Sequence, residues 1–173
     1  MSVHIIIDGY NLIRQSNKLS DIDQRDIQSG RESLLDILAA YKKIKHHKIT
    51  VVFDGANAPS FLLHKDKIKG IKILFSRHGE LADSVIKRMA AAEKEKALIV
   101  SSDMDIVDYA ESHGAATISS LRFEEKITMS SYIDIGGADM EHYSGWIPTT
   151  RKKGPSRRLS KKKRHNRIKI NKL

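Results

Sequence analysis

The chain has 173 residues, 40% apolar and 30% charged, with 31 Lys+Arg against 21 Asp+Glu and a formal net charge of +10. That length suits one compact domain with an appendage, and the lack of cysteine excludes disulfides, thiolate zinc sites and cysteine nucleophiles. No apolar run reaches the ~18 residues of a membrane span, and MSVHIIIDGYN has no long apolar leader, so the expectation is a cytoplasmic protein with no membrane partner.

In chain order, the β-branched run Val3–Ile7 predicts a first strand, followed by DGYNLI and a polar stretch to Gly30. Leu34, Ile37, Leu38, Tyr41 and Ile44 follow helical spacing and predict an amphipathic helix over 31–45. Strands are predicted at Lys48–Phe53, ended by the turn-rich DGANAPS, and at Ile71–Phe75. A helix at Ala82–Lys94 leads to a strand at Ala97–Val100. A helix at Met104–Ser112, closed by Gly114, leads to a short strand at Ala116–Ile118 and a helix at Phe123–Ser130. This rhythm predicts an α/β fold with a mostly parallel, doubly wound sheet covered by helices on both faces. Residues 131–150 carry only turn signals and read as a connector.

The charge is not evenly spread. Residues 151–173 hold twelve of the 31 cations and no acid, which leaves 19 cations against all 21 acids in residues 1–150. The tail has few apolar residues, so it is expected to be mobile when free. Its cations Lys152, Lys153, Arg157, Arg158, Lys161, Lys162, Lys163 and Arg164 suit a polyanion, and nucleic acid is preferred over a purely solvating role.

The acids of the body have a pattern of their own. The first predicted strand ends at Asp8 and the second at Asp54. The fourth runs through Ser101–Ser102 to Asp103 and Asp105, and Asp83 opens the helix after the third. In an open parallel sheet, ligands bind in the crevice beyond the strands' carboxyl ends. Crowded carboxylates ionise together only around a cation, and hard ions such as Mg²⁺ or Mn²⁺ prefer oxygen ligands. Taken singly, Asp8 and Asp54 also suit Asp-Gly turns, and Asp83 and Asp103 suit helix caps. Their joint placement favours a metal site.

The runs IIIDGYNLI, VVFDG, FSRHGELADSVI and VSSDMDI, in this order, resemble the NYN domain of the PIN-like nuclease superfamily, in its YacP-type bacterial branch. The resemblance covers residues 3 to about 125, and TRKKGPSRRLSKKKR resembles the basic extension of that branch. It implies a PIN-like fold over 1–130 and metal-dependent endoribonuclease activity. By position, Asp8, Asp54, Asp83 and Asp103 match the acidic metal-binding set, with Asp105 as a further metal candidate. Asn11 matches the asparagine of the opening motif and Ser102 the small hydroxyl before the last acid. Both are expected to orient ligands or bound water. Arg77 is a candidate for holding a neighbouring phosphate. RNA is the expected partner, and both the resemblance and the tail are compatible with ribosome association.

Two rivals stand beside this reading. A non-catalytic RNA- or ribosome-binding module would gain nothing from clustered carboxylates. A phosphotransfer domain with an Asp nucleophile would want a second Asp two residues after the first, whereas Gly9–Tyr10 follow Asp8. Phosphate-loop and serine-nucleophile motifs are lacking. Tyr143 and Trp146, just before the tail, suit either base stacking or packing against the sheet edge.

Overall fold

Short runs of β-branched residues form the centre of the molecule. The computed structural model describes residues 3–57, 65–136 and 161–173. Its strands are β1 (His4–Asp8), β2 (Lys48–Phe53), β3 (Lys65–Ile68), β4 (Ile71–Phe75), β5 (Ala97–Val100) and β6 (Ala116–Ile118). They form one six-stranded sheet in the order β3-β4-β2-β1-β5-β6. All neighbours are parallel except β3 and β4.

The helices are α1 (Gly9–Gln15), α2 (Asn17–Arg25), α3 (Ile27–Lys45), α4 (Ala82–Glu93), α5 (Met104–Ser112), α6 (Ser120–Gly136) and α7 (Lys161–Ile170). Alternation along each strand divides the core in two, as a period of two requires. Ile5, Ile7, Val51, Phe53, Ile73 and Val100 pack with α1, α3 and α6 on one face. Ile6, Val52, Leu74 and Ile99 pack with Ala82, Ile86 and Ala90 of α4 and Ile106 and Ala110 of α5 on the other. The expected doubly wound sheet is therefore present, and β1 is one of its two central strands, beside β2.

Several elements differ from expectation for identifiable reasons. The polar stretch after Asp8 is two helices. Asp8, Ser16 and Asp26 cap α1, α2 and α3 in succession, accepting from the backbone N–H groups of Asn11, Leu19 and Ser29. Pieces of 7 and 9 residues are too short to show a helical period in the sequence. Strand β3 is KDKI, a sequence with little strand propensity. It is folded back on β4 by Lys69 and Gly70, both at positive φ (53° and 79°), the geometry of a tight hairpin. Helix α6 runs on to Gly136 and takes in the first residues of the expected connector. Tyr143, Trp146, Lys152, Lys153, Arg157 and Arg158 lie outside the described residues.

The far end of the basic tail is docked, where mobility was expected. Ile170 and Leu173 are buried in the α3/α6 side of the core. The Tyr41 hydroxyl donates to the Leu173 carbonyl at 3.2 Å, and His47 Nε2 meets the Lys172 carbonyl at 3.2 Å. Asn166 Oδ1 accepts from the backbone N–H of Thr117 at 3.1 Å, and Lys169 Nζ donates to the Ala97 carbonyl at 3.3 Å. The few apolar residues of the tail are thus concentrated at its end. The edge strand β6 supplies a backbone donor that would otherwise go unpaired. Ala97 opens β5 and His47 precedes β2, so this anchorage lies toward the amino ends of the strands.

Truncating Ile170 to Ala is expected to lower unfolding stability by about 2 kcal/mol in chemical denaturation, as for a buried aliphatic side chain. A tail free of the body would give no change.

Candidate active site

Three strand ends and one helix start build an acidic cleft. Residue pairing puts Asp8 level with Val52, so Asp8 and Asp54 leave adjacent strands at the same edge. β5 lies on the other side of β1 and leads through Ser101 and Ser102 to Asp103. The chain reaches β2 and β4 on one side of β1, then crosses through α4 to β5 on the other. That reversal makes the carboxyl end of β1 the switch point of the sheet. There a cleft of about 420 Å³ is lined by Asp8, Asp54, Asp83 and Asp103, with Tyr10, Asn11, Arg14 and Gln15 beside them.

The glycines after Asp8 and Asp54 are set by space. A Cβ on Gly9 would stand 2.3 Å from the Phe53 ring, and one on Gly55 would stand 2.0 Å from the Ser76 carbonyl oxygen. Gly55 also donates its N–H to Ser76 Oγ at 2.9 Å, tying the end of β2 to the end of β4. Asp54 accepts from Ala56 N–H at 3.0 Å and Asp103 from Asp105 N–H at 2.8 Å. For Asp8, Asp54 and Asp103, the local turn or cap role and the cleft position therefore coexist. Asp83 is not a cap: Leu81 holds that position, and Asp83 lies in the first turn of α4.

A hydroxyl and amide network holds the two sides of the cleft together. Ser101 Oγ donates to Asp8 Oδ2 at 3.2 Å and accepts from Asp103 N–H at 3.2 Å. Asn11 Oδ1 accepts from Ser102 N–H at 3.0 Å and from the Ser120 hydroxyl at 2.7 Å. Ser102 Oγ donates to Gln15 Oε1 at 2.8 Å. Asn11 lines the cleft, whereas Ser102 stands behind it, joining α1 to the β5 end.

The electrostatics of the cleft are those of acids short of positive charge. Burial pushes the Asp8 carboxyl up to about 6, and the Asp83 and Asp103 carboxylates add to the rise. The hydrogen bonds from Asn11 and Ser101 oppose it. Asp83 is raised as well, first by burial and then by Asp103. The donors are all hard oxygens, a set that suits Mg²⁺ or Mn²⁺ rather than a soft metal. Among the described residues, no three His, Cys, Asp or Glu side chains are drawn together tightly enough to hold an ion by themselves. Mg²⁺ commonly takes one or two carboxylates and completes its shell with water and substrate phosphates, so the residues fit such an ion.

Not every candidate from the sequence reaches the cleft. Asp105 turns to an ion pair with Lys87 and is absent from the lining. Arg77 is exposed beyond the end of β4 and lines a neighbouring groove instead. Lys161 and Lys162 open α7, on which Lys163 and Arg164 are exposed. Ser101, Ser120 and Arg14 were not foreseen. Arg14 lies over the Tyr10 ring, 5.8 Å from its centroid, and is the one cation in the described lining of the cleft. Its spacing from Asp8 could have flagged it only if α1 had been recognised as a helix.

Comparison with known proteins agrees with this architecture. The chain matches the YacP-like NYN domain over residues 5–170. It is 28% identical over 88 residues to the uncharacterized protein YacP of Bacillus subtilis (strain 168), covering 51% of this chain and 51% of that one. The alignment thus spans about half the length of that curated relative. In fold, it resembles the crystal structure of Rae1 (YacP) from Bacillus subtilis with a TM-score of 0.63 and 22% identity over 78% of each chain. A tryptophan-to-leucine mutant of that protein gives a TM-score of 0.62 and 22% identity, over 76% of this chain and 79% of that one.

Because the folded-state pKa of Asp8 is raised, protonation of this group favours folding. That contribution is present below the ordinary value of 3.8 and is lost as pH rises through about 6. Without divalent metal, Asp8→Asn should therefore stabilise the protein near pH 7.5 by at most about 3 kcal/mol, and much less near pH 4. Thermal melts in EDTA at the two pH values check this.

Proposed function

Since the chain belongs to the YacP-like NYN domain family of PIN-like nucleases, we propose that it is a metal-dependent endoribonuclease whose chemistry takes place in the acidic cleft. One observation carries the reading. Four carboxylates from four separate elements line a single cleft at the switch point of the sheet, and burial together with mutual repulsion raises the most buried of them. A fold indifferent to cations would gain nothing from that arrangement.

In this reading Mg²⁺ or Mn²⁺ would be held among Asp8, Asp54, Asp83 and Asp103, with water and substrate phosphates completing the shell. When bound, the ion supplies an acidified water and stabilises charge on the phosphate and the leaving oxygen. The chain's own groups do the positioning. Asp8 is held by the Ser101 hydroxyl and by the backbone of α1, so its oxygens are fixed before substrate arrives. Asn11, with its carbonyl oxygen engaged by Ser102 and Ser120, keeps its amide N–H groups for a bound water or a phosphate oxygen. Arg14 provides positive charge for the phosphate next to the scissile one. Water attack in line with the leaving 3′-oxygen yields a 5′-phosphate and a 3′-hydroxyl. The docked cationic helix α7, on the β6 edge of the sheet, offers a separate contact for a large structured RNA, including ribosomal RNA. Among the described residues, no helix is long and apolar enough to cross a membrane.

Cleavage of a labelled RNA by wild type with Mn²⁺, by wild type with EDTA, and by Asp8→Asn with Mn²⁺ tests the proposal. Cutting is expected only in the first reaction, with 5′-phosphate ends. Equal cutting in all three would refute it, and RNA binding without cutting in any would favour the non-catalytic module. Asn11→Ala should reduce the rate by roughly 10- to 100-fold while leaving the protein folded, as for loss of a group that orients a metal ligand.

A further inference from the structure

The second surface feature lies beside the cleft, on the side of the sheet that carries α4. Helix α4 covers β1, β2 and β5, but β4 and β3 extend past it. In the gap is a groove of about 1090 Å³, lined by Lys72 and Leu74 of β4, Arg77 and His78 of the following loop, and Arg88 and Met89 of α4. The β3–β4 pairing sets Lys67 directly opposite Lys72. Both side chains are exposed, on the same face as Leu74. The opposite face of this hairpin carries Asp66, Ile68, Ile71 and Ile73 instead.

Like charges placed directly opposite each other weaken a sheet. Here neither lysine has an ion-pair partner among the described residues, while Arg88 is matched by Glu80 and Lys69 by Asp36. Lysine on an edge strand is a common guard against unwanted strand pairing. That explains Lys67, on β3, but not Lys72, on the interior strand β4.

Register gives the direction of the groove. Asp8, Val52 and Leu74 are paired across β1, β2 and β4. Leu74 is therefore two strand spacings from Asp8, about 10 Å. Arg77 lies on the connection between β4 and the start of α4, where Asp83 enters the cleft. A strand of phosphates leaving the cleft over that connection would meet Arg77 first, then Lys72 and Lys67.

We propose that this groove is the exit track for single-stranded RNA, with Lys67, Lys72 and Arg77 neutralising successive backbone phosphates outside the cleft. The proposal rests on the nuclease reading for its substrate and extends it to a contact surface in the body, separate from the basic tail. Charge complementarity carries it: Lys72, Arg77 and Arg88 line the groove with Lys67 beside them, against the one acid Glu80, which Arg88 pairs, in a body whose first 150 residues hold more acids than Lys and Arg.

Fluorescence anisotropy in EDTA, where no cutting occurs, isolates this contact. Oligouridylates of about 4 and about 16 nucleotides distinguish a cleft-sized ligand from one that reaches along the groove. For the double variant Lys67→Gln/Lys72→Gln, the affinity advantage of the longer RNA over the shorter should shrink at least about tenfold. The slope of log affinity against log salt should become shallower by about 1.4, the value for two lost single-strand phosphate contacts. Lys67→Arg/Lys72→Arg should retain both properties, and melting curves confirm folding. An unchanged length advantage and slope in the Gln variant would overturn the track. An equal weakening of short and long RNA would overturn it as well. Failure of cleavage by wild type would refute the nuclease reading through a separate experiment.

Discussion

The structure turns on the convergence of like charges at the end of β1. Asp8 is buried, with Asp83 and Asp103 close enough to raise its pKa, and a serine hydroxyl and a backbone N–H oppose the rise. Such an arrangement costs folding free energy above about pH 6 unless a cation enters. The surrounding fold is what holds it in place. Two mostly apolar helical layers clamp the sheet from both faces, and the glycines at 9 and 55 let the loop ends approach Phe53 and Ser76 closely. Function in this account is a local loss of stability tolerated by a well-packed sheet.

The distribution of positive charge complements that acid centre at three places. Arg14 stands within the cleft, Lys67, Lys72 and Arg77 lie on the β3–β4 side of it, and α7 is docked along the opposite edge strand, β6. Lys169 meets the start of β5 and Asn166 meets Thr117 in the middle of β6, so α7 lies along the β6 edge of the sheet, two strands from β1. A net charge of +10 suggests a generic polyanion binder. In the proposed reading, the arrangement in space instead separates a site for chemistry from surfaces for grip.

The sheet was largely legible because its strands are short, β-branched and bounded by Asp-Gly or Gly turns. β1, β2, β4, β5 and β6 fall where Val3–Ile7, Lys48–Phe53, Ile71–Phe75, Ala97–Val100 and Ala116–Ile118 predict them, with a one-residue shift at β1. The acids Asp8, Asp54, Asp83 and Asp103 were legible for the same reason: strand ends in a parallel sheet share one edge. What escaped was structure fixed by tertiary contact. α1 and α2 depend on successive caps, β3 depends on the hairpin at Lys69–Gly70, and α7 depends on a pocket formed by Tyr41, His47 and the β6 edge. Asp105 was misplaced because sequence proximity to Asp103 says nothing about its pairing with Lys87 across to α4. Ser101 and Ser120 carried no signal, since a serine's partner is visible only once the chain has folded.

Mn²⁺ binding followed by electron paramagnetic resonance tests the central claim most directly, in the presence of a short non-cleavable RNA analogue. The account predicts that wild-type protein takes up Mn²⁺ near pH 7.5, that uptake weakens as pH is lowered through about 6, where Asp8 takes up its proton, and that Asp8→Asn binds far more weakly at either pH. Uptake by Asp8→Asn equal to that of wild type, or no uptake by wild type at millimolar Mn²⁺, would contradict it.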